Sequence, residues 1–138
     1  MKNIIQISEA ASLALHGMGL LAIKGGRLSV REMALVTGSS EAHLSKVFQR
    51  LSREGLVTSV RGPGGGFILA RPAAEITLLD IYSAIEGEPK LEPCLLGKVK
   101  CPFGKCIFGE MIPEITGRFI DHLSRTTLAE MANPSPGK

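Results

Sequence analysis

The sequence predicts a mainly α-helical fold with one small β-hairpin. Three observations support this: apolar residues recur at helical spacing, capping residues and glycines separate those segments, and two short β-branched stretches flank a glycine-rich loop. A chain of 138 residues has the length of one domain, and its 44% hydrophobic content is enough for a core.

The first half of the chain predicts three consecutive helices. Residues 7–23 are rich in Ala, Leu and Met and precede Gly25-Gly26, which is typical of a well-buried helix and its end. Ser29 and Glu32 stand at capping-box spacing and predict the start of a second, short helix. Ser40 then caps a third helix, and Gly55 is well placed just after its end. The apolar stripe of this helix is Leu44, Val47, Phe48 and Leu51. The second and third helices, joined by a tight glycine turn, form a helix-turn-helix pattern.

A hairpin is predicted next, with strands near 56–60 and 67–70 around the loop RGPGGG. A nucleotide-binding phosphate loop would need a following helix and a Gly-Lys-Ser/Thr ending, and neither is present. A flexible hairpin tip explains the glycines but not Arg61. A helix-turn-helix followed by a basic hairpin indicates a winged helix, with the wing lying along DNA and an arginine in the minor groove.

Helical signals return after the hairpin. Thr77 and Asp80 have capping-box spacing, and Gly87 follows the end of that short helix. Residues 88–106 show no period and contain all three cysteines. From about Phe108 a single helical stripe continues to the frayed tail; it comprises Ile112, Ile115, Phe119, Leu123, Thr127 and Met131.

Charge is uneven along the chain. The net charge is +3, but Lys24 to Arg71 holds eight basic residues against three acidic ones, which is a possible footprint for a polyanion or simply a solvated face. Glu9 and His16 interrupt the N-terminal apolar stretch, and no apolar run is long enough to cross a membrane. We therefore expect a cytoplasmic protein without membrane contact.

The run SSEAHLSKVFQRLSREGLVTSVRGPGGGFILARP resembles the winged helix of the IscR/NsrR family, the Rrf-type bacterial transcription regulators. The match is most specific from Gly55 to Arg71 and looser over residues 5–130. The resemblance implies a winged-helix domain over 1–87, a cluster loop over 88–107, a dimerisation helix over 108–132 and a flexible tail over 133–138. It also implies a homodimer that binds a palindromic double-stranded DNA operator.

The resemblance assigns the DNA-binding residues to the start of the third helix and to the wing. His43 is equally consistent with a solvated helix residue, and the two cations one turn further on would neutralise phosphates without reading sequence. The expected DNA-binding residues are Ser39, Ser40, His43, Lys46, Arg50, Arg61, Gly64 and Gly65.

The cysteines are a second candidate site. Cys94, Cys101 and Cys106 are separated by six and four residues in one polar loop, and thiolates suit iron–sulfur clusters, zinc or copper(I). Zinc usually takes paired knuckles with four ligands, so it is the second choice. An odd number of cysteines cannot all pair within one chain, and no Cys-x-x-Cys stands beside a βαβ pattern, which disfavours a redox enzyme.

The resemblance implies that these three cysteines hold an iron–sulfur cluster, 2Fe-2S or 4Fe-4S. One branch of the family supplies a histidine three positions after the last cysteine, where this chain has Gly109. The nitric-oxide-sensing branch supplies a carboxylate early in the first helix of the other subunit, and Glu9 stands near that place. Ser8 and His16 are the fallback ligands, and Glu9 is also explained as an acidic residue at a helix N-terminus.

The resulting hypothesis is a DNA-binding transcriptional regulator, not an enzyme, that represses genes in response to redox state, nitric oxide or iron–sulfur status. The alternative is a cluster-free regulator of the same fold that senses thiols or metabolites.

Overall fold

The computed structural model describes residues 5–90 and 102–133. These residues form three helices, a two-stranded hairpin, a 3₁₀ turn and three further helices. In order these are α1 (Glu9–Lys24), α2 (Val30–Thr37), α3 (Glu41–Arg53), β1 (Val57–Ser59), β2 (Phe67–Leu69), the 3₁₀ turn (Ala73–Glu75), α4 (Leu78–Glu86), α5 (Met111–Arg125) and α6 (Leu128–Ala132). The predicted class, mainly α with a β-hairpin wing, is confirmed.

Local capping sets the ends of the early helices as predicted. In α2 the Glu32 N–H donates to Ser29 Oγ at 3.1 Å, and the Ser29 N–H donates to the Glu32 carboxylate at 3.3 Å. Thr77 and Asp80 form the same box at the start of α4. Gly25 and Gly38 end α1 and α2 with φ of 73° and 71°, the left-handed region that favours glycine.

The core lies where α1 crosses α3 and the base of the hairpin. Phe48 is fully buried there, with its ring 5.3 Å from that of Phe67. Gly17 allows the approach of α1, because a methyl group at this position would lie 2.6 Å from two ring atoms of Phe48. The close crossing fixes α3 against α1 and therefore fixes the orientation of its exposed face.

The prediction of one C-terminal helix over 108–132 was wrong. Residues 106–110 form a turn, α5 begins at Met111, and Thr126-Thr127 separates α5 from α6. Thr127 pairs with Thr77 in an antiparallel bridge, which is closed by Leu78 N–H to Thr126 O and Leu128 N–H to Ile76 O, both 2.9 Å. A capping box between Thr127 and Glu130 then starts α6. The apolar spacing continued across this break and concealed it.

The short α6 joins the core of the N-terminal half. Leu128 is fully buried and belongs to the same hydrophobic cluster as the residues of α1 and α3. On α5, the ring of Phe119 meets Tyr82 of α4 edge-on at 5.5 Å. Of the tail expected over 133–138, residues 134–138 lie outside the described residues. Within the described ranges no helix is long and apolar enough to cross a membrane.

Candidate DNA interface and cysteine loop

The start of α3 presents polar side chains around the helix N-terminus. Ser40 caps the helix, with its Oγ accepting from the His43 N–H at 3.1 Å, and the Ser39 hydroxyl is hydrogen-bonded to Thr37 in the turn. Ser40 is exposed, while Ser39 and His43 are half-buried. The helix dipole is positive at this end, which favours a phosphate group beside it.

His43 also contacts α1. Its Nδ1 lies 3.3 Å from a carboxylate oxygen of Glu9, and Glu9 is 72% exposed. The sequence placed these two residues in different sites, His43 toward DNA and Glu9 toward a cluster. The structure brings the two side chains together.

The two cations further along α3 differ in their surroundings. Lys46 is exposed one turn after His43, where it is available to a phosphate. The Arg50 guanidinium instead donates to the main-chain oxygen of Ile85, in the last turn of α4. Carbonyls in that position have no partner within their own helix, so Arg50 supplies one and ties α3 to α4. This contact favours a structural role for Arg50.

The wing is a short antiparallel hairpin as predicted, although its strands are shorter than 56–60 and 67–70. Val57 pairs with Leu69 and Ser59 with Phe67, and the Val60 N–H donates to Gly66 O at 2.8 Å. Arg61 is exposed just beyond the last pair. The tip turns on four glycines with positive φ, namely Gly62, Gly64, Gly65 and Gly66. Its small cross-section allows the main chain to approach a nucleic acid closely.

Sequence reasoning missed a third segment of the wing. Leu28, in the link between α1 and α2, forms an antiparallel bridge with Phe67. The adjacent Arg27 reaches the wing tip, where its Nη1 donates to Pro63 O at 3.3 Å. In the sequence, Arg27 is only one of the basic residues between Lys24 and Arg71. Its separation from the hairpin along the chain hid the contact.

Of the three predicted cysteine ligands, the structure describes Cys106; Cys94 and Cys101 lie outside the described residues. Cys106 is exposed and free, and its Sγ accepts from the Phe108 N–H at 3.4 Å. Gly109 completes the turn with a positive φ and donates its N–H to Cys106 O at 2.9 Å. Cysteine sulfur is a soft ligand, and the exposure of Cys106 leaves its sulfur accessible. Cys106 therefore fits a soft metal centre.

The three candidates for a fourth ligand, Ser8, His16 and Glu9, differ in the contacts that their side chains already make. The Ser8 hydroxyl caps α1, accepting from the Ala11 N–H at 3.0 Å and donating to the Glu86 carboxylate. His16 is hydrogen-bonded through Nδ1 to Ser12 O at 2.7 Å within its own helix. The Glu9 side chain is 72% exposed and makes one surface ion pair, with His43. Among residues 5–90 and 102–133, no three His, Cys, Asp or Glu side chains come together as a metal site.

A helix-turn-helix followed by a basic, glycine-tipped wing defines a DNA-binding protein of the winged-helix class. The Rrf2 family model, described as an iron-dependent transcriptional regulator, matches residues 7–134. The chain belongs to the Rrf2 family, and it is a transcriptional regulator rather than an enzyme.

Curated relatives agree with this family. Protein aau3 of Rhizobium meliloti is 31% identical over 135 residues, covering 96% of this chain and 88% of that protein. The HTH-type transcriptional regulator IscR of Escherichia coli is 32% identical over 111 residues, covering 80% of this chain and 68% of IscR.

Solved structures show the same fold. CymR, the global cysteine regulator of B. subtilis, matches with a TM-score of 0.76 and 28% identity, over 96% of this chain and 99% of CymR. IscR of T. potens matches with a TM-score of 0.70 and 28% identity, over 93% of this chain and 86% of that one. The prediction of a winged helix-turn-helix is thereby confirmed.

Proposed function

We propose that the protein is a homodimeric repressor that binds a palindromic operator and adjusts its DNA occupancy through an iron–sulfur cluster in the cysteine loop. The recognition surface comprises Ser39 and Ser40 just before α3 and His43 and Lys46 on it. The wing adds Arg61, Gly64 and Gly65. In a symmetric dimer the two copies of α3 would lie about 34 Å apart, facing successive major grooves.

The cluster would be held by Cys94, Cys101 and Cys106 of one subunit and by Glu9 of the other. When bound there, it would supply a centre that reacts with oxidants and nitric oxide. A carboxylate is a weaker ligand than a thiolate at a soft metal, which suits a site that must exchange or be lost.

The observation that carries this proposal is the contact between Glu9 and His43. The Glu9 carboxylate is exposed enough to bind a metal, and it contacts α3, the helix that would enter the major groove. The Glu9 carboxylate can bind a cluster or pair with His43, but it cannot do both at once. The state of the loop would thus reach the side chains that face DNA.

The homodimer is supported by apolar side chains left on the surface near α5. Met111 and Ile115 are 53% and 49% exposed, and Ile5 and Ile7 extend the same surface beside a groove that Tyr82 and Phe119 line. Ile115→Glu should convert the dimer to monomer in light scattering. Ser124→Glu, on an exposed position of the same helix outside that groove, should remain dimeric.

Anaerobic purification tests the cofactor. We expect a brown protein whose visible thiolate-to-iron absorption disappears in Cys106→Ala and Cys94→Ala. Arg61→Ala is the matched control, since it should keep the colour and lose operator affinity. A wild-type protein that stays colourless after reconstitution with iron and sulfide would overturn the cluster proposal and leave the DNA-binding proposal standing.

A cluster-free regulator that senses thiols is the second candidate. It is favoured by the exposed, free Cys106 and by the similarity to CymR, the global cysteine regulator of B. subtilis. It predicts a colourless protein in which oxidation of Cys106, measured by mass spectrometry, changes operator affinity. Zinc binding has less support, because a structural zinc site usually has paired Cys-x₂₋₄-Cys knuckles with four ligands, and only Cys101 and Cys106 approach that spacing.

A further inference from the structure

We propose that Arg27 is a second arginine of the wing and contacts a DNA backbone phosphate beside the wing tip; this rests on the proposed role of the wing in binding DNA. Arg27 precedes the hairpin by some thirty residues, yet its Nη1 donates to Pro63 O at 3.3 Å. Its guanidinium therefore lies at the part of the wing expected to approach DNA most closely.

The backbone that carries Arg27 is fixed to the base of the wing. Leu28 N–H donates to Phe67 O at 3.1 Å, and Phe67 N–H donates to Leu28 O at 3.0 Å. These two bonds make the link between α1 and α2 a third strand-like segment of the hairpin. The main chain next to Arg27 is therefore held against the base of the wing.

Gly66 makes this third segment possible. Its φ is +122°, and a methyl group built on it would lie 2.6 Å from Leu28 O. The main chain of residue 66 thus passes directly against that of residue 28. The glycines of the loop therefore have two effects. They give the wing tip a small cross-section, and Gly66 allows the segment that carries Arg27 to pack against the wing.

The charge of Arg27 is not neutralised within the described residues. Lys24 pairs with Glu32, Arg71 with Asp80 and Arg125 with Asp121, whereas Arg27 has no acidic partner within 4 Å in this part of the structure. An arginine carries five N–H donors, and the bond to Pro63 O uses one of them. The others can bind a phosphate while that bond persists, so the wing would arrive at DNA with its arginine already oriented.

The salt dependence of binding distinguishes a phosphate contact from a structural brace. Each neutralised phosphate contributes about 0.9 to the slope of log affinity against log salt for duplex DNA. The probe is a duplex that the wild-type protein selects from a random-sequence pool. Arg27→Ala should bind it several-fold more weakly, with the slope smaller by about one unit per subunit bound. Arg27→Lys keeps the charge and should restore the slope.

Two further variants separate this inference from the wing model itself. Arg125→Ala removes an exposed, ion-paired arginine on α5 and should leave both affinity and slope unchanged. Arg61→Ala should weaken binding if the wing enters DNA. A folded Arg27→Ala protein, verified by circular dichroism, whose slope equals that of wild type would overturn the inference, whether its affinity falls or not. An unchanged Arg61→Ala would instead count against the proposed wing contact.

Discussion

The carboxylate of Glu9 lies 3.3 Å from Nδ1 of His43, which joins the first turn of α1 to the first turn of α3. Both side chains are partly solvated, and the attraction is ionic only when the imidazole is protonated. His43 is at the same time held through its backbone, since its N–H donates to Ser40 Oγ. Its side chain can therefore change partner without disturbing the cap of α3.

Glu9→Gln should raise the DNA affinity of the cluster-free protein. The change removes a negative charge beside the recognition helix and frees His43. Exposed ion pairs are worth about 0.2–1 kcal/mol, so the expected gain is less than about fivefold. Fluorescence anisotropy with a selected duplex measures it. In a His43→Gln background the gain should shrink, and an equal gain in both backgrounds would show that the two residues are not coupled.

Gly17→Ala should destabilise the protein, whereas Gly19→Ala should not. The new methyl group at position 17 would lie 2.6 Å from the ring of Phe48, which cannot retreat because it is fully buried against Phe67. Overpacking of this kind costs about 1–3 kcal/mol. At position 19 nothing lies within 4 Å, and alanine in a helix gains about 0.5–1 kcal/mol over glycine. Urea unfolding of both variants would reveal opposite signs, and two equal losses would contradict the close crossing of α1 and α3.

Acidification should weaken the start of α2. The hydrogen bond from Lys24, followed by those from the backbone and side chain of Ser29, lowers the pKa of Glu32 below its usual value. A lowered pKa in the folded state contributes stability above the usual pKa of the carboxyl, and this is lost as the pH falls through the folded pKa. Thermal unfolding of Glu32→Gln should therefore depend less on pH in the acidic range than that of wild type. A Glu32→Gln protein whose stability follows the same pH dependence as wild type would contradict this prediction.

Gly66→Ala should damage the wing more than Gly64→Ala. Both residues have positive φ, so each substitution carries backbone strain of roughly 1–3 kcal/mol. Only at Gly66 does the added methyl group also meet main chain, 2.6 Å from Leu28 O, while Gly64 has open space. Hydrogen exchange of the Phe67 and Leu28 amides should accelerate in Gly66→Ala and stay close to wild type in Gly64→Ala. Equal exchange in the two variants would mean that the third wing segment does not depend on the close approach.

Local signals in the sequence predicted most of the fold. A capping box needs only residues three apart, so Ser29 with Glu32 and Thr77 with Asp80 could be recognised before the structure was known. Thr127 and Glu130 also form a capping box. There, however, the helical spacing of apolar residues continues past the cap, and this spacing predicted one continuous helix.

Contacts between distant segments could not be predicted in this way. Nothing near Arg50 in the sequence indicates that it caps α4, because Ile85 O becomes its neighbour only after α3 and α4 pack. The pair of Glu9 with His43 and the bond of Arg27 to Pro63 arise for the same reason. These are tertiary contacts, and each changes what its residue is available to do.

The extended pair Thr126-Thr127 gives α5 one anchored end. Its bridge to Thr77 fixes that end to the DNA-binding half of the chain, while the opposite end begins five residues after Cys106. The helix has 15 residues and so is about 22 Å long. Because α5 is held at the threonines, it would rotate about that end. A shift of about 2 Å at the end near Cys106 would tilt a helix of this length by about 5°. A subunit packed along the helix would turn through the same angle.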